Sequence, residues 1–284
     1  MRLAAGRALA HGARADLPGG GGSPLLFRSP DLRAWEYVQP LCSGGAARDE
    51  CPDLFPLDGR AVLLSSRDHT AWAVGALLGW RLHPQRSGLL DDGALYAAKT
   101  LLDGRGCRIA FGWVREARGV EAQVRAGWSG VLSLPRILRV SPDGALASAL
   151  PEELTALRGE LWEPPVRIDG AGEADPLRIQ VPDGGCFELL AEFAGLEPGA
   201  APGVAIPGSG PMALAQGPSA FPGGCGALRV LVDRSVVEVF GEGGTTCSRR
   251  AYAADGGGAG WVGLFVRGGR GALERLRIWD LAPR

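Results

Sequence analysis

A chain of 284 residues is long enough for about two domains, each with its own core. Its 46% hydrophobic content is ordinary for a folded protein, while 45 Gly and 21 Pro cut it into many short segments, which suits strands and tight turns better than long helices. Thirty basic and 31 acidic residues are interspersed to a net charge of −1, so there is no cationic face for nucleic acid or anionic lipid, no run approaches the ~20 apolar residues of a membrane span, and the expected partner is neutral.

The first residues, Met1 to Gly6, carry a charge and small side chains but no continuous apolar stretch of signal-peptide length before His11 and Arg14, so no export signal is read and the compartment is left open. Short apolar or alternating runs then follow at 25–28, 37–38, 61–65, 72–78, 95–101, 108–114 and 131–140. Ser-Pro-Asp, Asp-Gly, Arg86-Ser87-Gly88 and Asp-Gly-Arg-Gly punctuation separates them, the pattern of an antiparallel all-β architecture. Residues 150–159 read as one helix, with Pro and two acids in the first turn and Arg-Gly at the end, and serve as a connector over 151–162 between a domain at 1–150 and another at 163–284. Beyond it, strands are expected at 177–181 and 186–193, then a plain Gly/Pro/Ala stretch from 195 to 226, then the strongest strand signal in the chain, Leu228 to Phe240 around Asp233-Arg234-Ser235. Runs at 261–266 and 273–281 complete a plausible β-sandwich.

Glu50-Cys51-Pro52-Asp53-Leu54-Phe55-Pro56 is the segment richest in chemistry. The Cys-Pro step excludes helix interior and reads as a rigid loop, and Asp49 adds a third carboxylate. Clustered acids beside Leu54 and Phe55 would raise at least one carboxyl pKa through like-charge repulsion and desolvation, which is what a general acid for glycosidic cleavage needs. Six cysteines show no C-x-x-C and three histidines no ligand spacing, so neither a metal nor a cofactor is expected; a Cys186–Cys225 disulfide is permitted, as is a fully reduced chain. Gly127-Trp128-Ser129-Gly130 misses the nucleophile elbow by one position, and the Gly-rich segments at 19–22, 256–258 and 268–271 lack phosphate-loop or dinucleotide spacing. Trp72, Trp80, Trp113 and Trp128 could stack on a sugar, with core packing as the default reading for a strand Trp.

Taken in order, several segments resemble glycoside hydrolase family 32, the invertases, levanases, inulinases and fructan exohydrolases. Residues 50–56 resemble its E-C-P-D-x-F-P; Asp91-Asp92-Gly93 through Tyr96-Ala97-Ala98-Lys99-Thr100 resembles D-x-G-x-x-Y-A-x-K-T. Residues 111–116 resemble the W-G-W strand, Gly127 to Arg136 resembles G-W-x-G-x-x-x-x-P-R, and residues 231–240 resemble V-D-x-S-x-V-E-x-F. The resemblance implies a partial five-bladed β-propeller followed by a C-terminal β-sandwich, acting on sucrose or fructan β-fructosides with retention. It implies Glu50 as general acid/base and Asp53, Asp91, Cys51 and Trp113 as substrate-binding residues. Two departures stand out: Arg48-Asp49 replace the usual aromatic before E-C-P-D, and Ala94 stands where sucrose-cleaving members often carry Lys. The 284 residues contain neither W-x-N-D-P-N-G, which bears the family's nucleophile, nor R-D-P. Met1-Arg2-Leu3 aligns with a strand after R-D-P, so the expectation is a chain lacking the first one and a half blades and with little activity alone. The alternatives are a non-catalytic carbohydrate-binding remnant and a fructosyltransferase.

Overall fold

The structure, a computed structural model, describes residues 2–3, 7–16, 22–42, 50–165, 168–169, 175–182, 185–214, 226–252 and 260–281, with side chains from residue 23 onward except at 168–169. It is built almost wholly of antiparallel strands, as the turn-bounded sequence pattern requires. Contacts divide it into two compact units: one comprises 1–90, 96–113 and 137–147, and the other 91–95, 114–136 and 148–284. The second unit therefore draws in two stretches from ahead of residue 150.

The first unit opens with a four-stranded sheet in sequential order, β1 (Arg2–Leu3), β2 (Arg7–Asp16), β3 (Gly22–Ser29) and β4 (Glu36–Pro40). A second sequential sheet has β5 (Glu50–Leu57), β6 (Arg60–Ser66), β7 (Thr70–Leu78) and β8 (Arg81–Leu89). Sequential four-stranded antiparallel sheets of this kind are propeller blades. Asp58-Gly59 joins β5 to β6 with φ of 47° and 75°, the two left-handed residues of a tight hairpin that Asp-Gly favours. Leu26, Leu41, Leu54, Leu63 and Leu82 form one buried cluster that joins these two sheets. The third sheet carries β9 (Leu95–Leu102), β10 (Arg108–Val114), β11 (Val131–Leu132), β12 (Arg136–Val140) and β13 (Leu146–Ala149), in the order β11-β10-β12-β13 with β9 also on β10.

Two sequence expectations fail here for identifiable reasons. Residues 50–57 are strand and not loop: β5 is an edge strand of its sheet, where Pro52 and Pro56 need donate no ladder hydrogen bond. The Arg86-Ser87-Gly88 punctuation lies inside β8, the opposite edge, where a register shift at Val74/Gly75 accommodates Pro84. Helix α1 (Val120–Ala126) was not foreseen; it buries none of its residues, so it lacks the apolar stripe that marks a helix in sequence.

The expected helix at 150–159 is a single 3-10 stretch over Glu152–Leu157, after which β14 (Arg158–Trp162) leaves directly into the sandwich. The cause is tertiary: none of the six residues is buried, while the Arg158 guanidinium is fork-paired with the fully buried Glu188 at 2.6 and 2.8 Å. The sandwich's larger sheet combines β14, β15 (Ile168–Asp169), β17 (Cys186–Ala194), β20 (Gly226–Asp233), β21 (Val236–Gly241), β22 (Thr246–Arg250) and β24 (Ala272–Leu281). The smaller sheet is β16 (Leu177–Gln180), β23 (Trp261–Arg267), β18 (Ala201–Ile206) and β19 (Gly210–Ala213). Alternate residues of both, among them Leu189, Val230, Val239, Ile278, Val204 and Leu264, bury into one core. Among its described residues, the plain stretch at 195–226 thus contains the strands β18 and β19. Its low β-propensity reflects packing: a Cβ on Gly203 would stand 2.4 Å from the Phe265 ring.

Candidate active site

In the first unit, strand β5 is distorted where its chemistry begins. Glu50 pairs with Ser66 and Asp53 with Leu64, so Cys51-Pro52 forms a bulge, and Cys51 sits in the left-handed region at φ 49°. Strand β9 holds this bulge residue by residue. The Tyr96 hydroxyl donates to Glu50 Oε2 at 2.7 Å; Lys99 Nζ donates to the carbonyls of Cys51 and Pro52 at 3.2 and 2.6 Å. Thr100 gives both its N–H and its hydroxyl to Asp53 Oδ2, each at 2.8 Å. The two motifs Glu50-Cys51-Pro52-Asp53 and Tyr96-Ala97-Ala98-Lys99-Thr100, 46 positions apart, are one structural device. Sequence reading quoted Tyr96, Lys99 and Thr100 without giving them a task. Their signal was available, since a strand with Tyr, Lys and Thr within five residues offers three donors to a neighbour rich in acceptors.

Glu50 is exposed, and among the described residues its Oε1 has no hydrogen bond, so one carboxyl oxygen is held and the other is open to a ligand. Leu54 and Phe55 do not form the apolar wall expected beside it. Leu54 and Phe55 are buried, at 1% and 2% exposure, and lie four and five residues on, about 13 Å or more along the strand. Asp49, the third acid of the expected cluster, lies outside the described residues. Trp113, 42% exposed, meets the Tyr96 ring edge-on at 6.3 Å, which places an accessible indole one ring away from Glu50. Cys51 is half-buried with a free thiol. Arg108 packs over Phe55 at 4.8 Å, and burial lowers its pKa against the opposing pull of Asp53. Among the described residues no group of His, Cys, Asp and Glu could hold a metal, and no disulfide joins Cys42, Cys51, Cys107, Cys186 and Cys247 to one another; Cys225 lies outside them.

Replacing Lys99 with Met removes a charged donor from two carbonyls of a strained bulge. Charge-assisted bonds contribute about 1.5–3 kcal/mol when shielded, and partial exposure reduces this, so a loss of about 1 kcal/mol is expected in urea unfolding. A change of only a few tenths would mean that the bulge holds its shape unaided.

Asp91 lies in the second unit and is enclosed. Its Oδ1 accepts from Ser248 N at 3.0 Å, and its Oδ2 accepts from Ser248 Oγ at 2.8 Å and faces Arg136 Nη1 at 3.0 Å. Arg136 reaches Glu238 Oε2 with its other arm at 2.6 Å, and all three side chains are at most 1% exposed. One guanidinium thus serves two buried carboxylates, and burial pushes the Glu238 carboxyl upward. Gly93 belongs to the same arrangement: a Cβ there would fall 2.1 Å from the Ser248 carbonyl. So the Asp-x-Gly, Pro-Arg and Val-Glu signatures, read separately in sequence, meet in a single buried ion cluster.

A second cluster unites two further signatures. Glu116 is gripped by Arg118 at 2.7 and 3.1 Å, accepts from Gly130 N at 3.2 Å and from the Tyr252 hydroxyl, while Arg118 lies over Trp128 at 4.1 Å. The Arg118 guanidinium holds the Glu116 carboxyl well below the usual carboxylate range. A depressed folded-state pKa contributes stability above the unfolded value and loses it as pH falls through and below about 4.5. Glu116→Gln is therefore expected to melt lower than the unaltered chain at pH 7, with the gap narrowing steadily as pH falls from 4.5 to 3 and still open at pH 3; a constant gap across that range would remove Glu116 as its source.

An all-β chain of blade sheets with a sandwich, carrying an exposed glutamate on a bulged edge strand, has the form of a propeller-and-sandwich protein. Residues 11–149 match the glycosyl hydrolases family 32 N-terminal domain and residues 209–280 the family's C-terminal domain, so the chain belongs to glycoside hydrolase family 32. It is 30% identical over 205 residues to the sucrose-6-phosphate hydrolase of Bacillus subtilis, covering 63% of this chain and 42% of that one. It is also 30% identical over 208 residues to an insoluble β-fructofuranosidase of Oryza sativa subsp. indica, covering 62% and 35%. It thus spans less than half of these curated relatives. Among solved structures it resembles fructan 1-exohydrolase IIa of Cichorium intybus, with a TM-score of 0.74 at 19% identity over 92% of this chain and 67% of that one. It also resembles a β-fructofuranosidase of Bombyx mori, at 0.73 and 20% over 99% and 64%. Both are also solved in altered form with a fructoside, 1-kestose in the first and sucrose in the second.

Proposed function

We propose that the chain supplies the acid/base half of a retaining β-fructofuranosidase, with residues 1–150 as part of a five-bladed propeller, 151–162 as linker and 163–284 as sandwich. The observation that carries this is the clamp of Tyr96, Lys99 and Thr100 on residues 50–53, which fixes one oxygen of Glu50 and leaves the other open. In this reading Glu50 protonates the leaving glycosidic oxygen and later deprotonates the incoming water. Trp113 offers an indole face to the sugar, Cys51 and Pro52 set the backbone that aims the acid, and Asp53, anchored by Thr100, keeps the strand in register. Asp91 receives the least support as a direct sugar ligand, because its oxygens are taken by Ser248, Thr246 and Arg136. The expected substrates are sucrose and short fructans, as the ligands of the structural relatives suggest.

A second reading, as a sugar-binding module, rests on the exposed Trp113 one ring away from Glu50, which could hold a sugar without cleaving it. Chemical complementation separates the two. With sodium azide present, azide attacks the anomeric carbon as the C–O bond breaks and Glu50 gives its proton to the departing sugar. Azide-dependent release of glucose from sucrose, abolished in Glu50→Gln, supports the acid role. Saturable 1-kestose binding without any azide-dependent release supports the binding module.

A further inference from the structure

Two residues of the first unit stand where the Glu50 and Tyr96 motifs meet, without belonging to either. Ser66 ends β6, with its backbone paired to Glu50 on one side and to Thr70 on the other. Its hydroxyl reaches a third strand: Ser66 Oγ accepts from the Ala97 N–H at 2.9 Å and lies 3.2 Å from Thr70 Oγ1. Ser66 and Thr70 are 1% and 0% exposed, and the Leu90 N–H, donating to the Thr70 carbonyl at 2.8 Å, ties Thr70 down from another side. Hydroxyls buried this deeply find their partners within the protein, and this pair spends one of its acceptors on a single backbone N–H. That N–H belongs to a strained residue. Ala97 has φ 52°, in the left-handed region that a residue with a side chain keeps only when its surroundings enforce it. Directly before it comes Tyr96, whose hydroxyl donates to Glu50 Oε2 at 2.7 Å. Glu50 is arranged in the same way, since the residue after it, Cys51, is left-handed at φ 49°. Each end of the Tyr96–Glu50 bond is thus aimed by a turn in its own strand. Ser66 touches both, with its main chain opposite Glu50 and its side chain on the residue after Tyr96.

We infer that Ser66 and Thr70 are positioning residues that set Tyr96 against Glu50: Ser66 holds the left-handed backbone at Ala97, and Thr70 orients the Ser66 hydroxyl. Neither touches substrate; both act through Tyr96. Without the Ser66 oxygen the Ala97 N–H loses its buried acceptor, the backbone loses its reason to stay left-handed, and a return to extended φ re-aims the adjoining Tyr96. The role rests on the assignment of Glu50 as the acid, because the contact matters to catalysis only if Glu50 carries the proton.

The contact is read by carbon-13 NMR of the 284-residue chain with its three tyrosines labelled at Cζ, the Tyr96 resonance being identified by Tyr96→Phe. At pH 7 Glu50→Gln exchanges a charged acceptor for a neutral one and is expected to move this resonance. In a Ser66→Ala background the same exchange is expected to move it less than half as far, with circular dichroism showing that the fold is retained. A Tyr96 resonance that ignores Glu50→Gln in the otherwise unaltered chain, or an undiminished response in folded Ser66→Ala, overturns the inference. Should Ser66→Ala fail to fold, Thr70→Val and Thr70→Ser decide, since the first removes the hydroxyl at nearly constant volume and the second keeps it. A response lost in Thr70→Val and kept in Thr70→Ser supports the inference; equal responses overturn it. Azide-dependent sucrose cleavage gives the kinetic readout: Ser66→Ala is expected to lower kcat about tenfold with KM changed by less than about twofold, the split of a group that aims the acid and does not bind sugar. Absence of azide-dependent cleavage in the unaltered chain would instead fail the acid assignment, while the Tyr96 resonance still decides the contact.

Discussion

Incubated with sucrose or inulin in plain buffer, the 284-residue chain is expected to show no detectable hydrolysis. A positioned general acid contributes about 10²–10⁴-fold, whereas enzymatic accelerations run from about 10⁶-fold upward, and the difference is what a covalent nucleophile and an organised transition-state environment supply. Among the described residues the carboxylate nearest to Glu50 in sequence is Asp53, three positions on, and its Oδ2 is occupied by two donors of Thr100. Azide replaces the missing nucleophile without needing a proton removed, so it should restore cleavage while Glu50→Gln lowers the azide-dependent rate by about 10²–10⁴-fold. Robust turnover in plain buffer would mean that a carboxylate of this chain itself attacks the fructosyl carbon, with Asp53 the first to test by Asp53→Asn.

The largest effect on stability is expected at Arg136. Its guanidinium is 1% exposed and stands between Asp91 and Glu238, which are themselves buried. Arg136→Met keeps the side-chain volume roughly constant but leaves two carboxyl groups facing each other without a cation. Breaking a buried pair in this way costs about 3–5 kcal/mol, seen as a clear fall in the urea midpoint of the second unit. The cause can be separated from lost packing: Asp91→Asn and Glu238→Gln added to Arg136→Met remove the stranded charges, so the triple variant should regain more than half of the loss. A loss below about 1 kcal/mol in Arg136→Met, or a triple variant no better than the single, would show that the cluster is not the fastening described here. An additional signature is expected in the single variant, whose stability should improve on mild acidification as the stranded carboxyls take up protons.

The sequence by itself determined the all-β class, the tight turn at Asp58-Gly59, the strand character of residues 228–240, which the structure folds as the hairpin β20–β21, and Glu50 as the acid to examine. These are local properties: alternation reports which face of a strand is buried, and Gly, Pro and Asp report where the chain turns. What only the tertiary structure decided is which signatures touch. Tyr96, Lys99 and Thr100 reach back 46 to 48 positions to residues 50–53, and Arg136 reaches forward 102 positions to Glu238. Such pairings depend on strand register and on the order of strands in a sheet, which no local pattern encodes. The same reason accounts for the local errors. Residues 50–57 could be strand despite two prolines because β5 falls at an edge, residues 201–206 could be strand despite their plainness because Phe265 needs the space at Gly203, and residues 158–159 left the expected helix because the Arg158 guanidinium joins Arg229 on the buried Glu188.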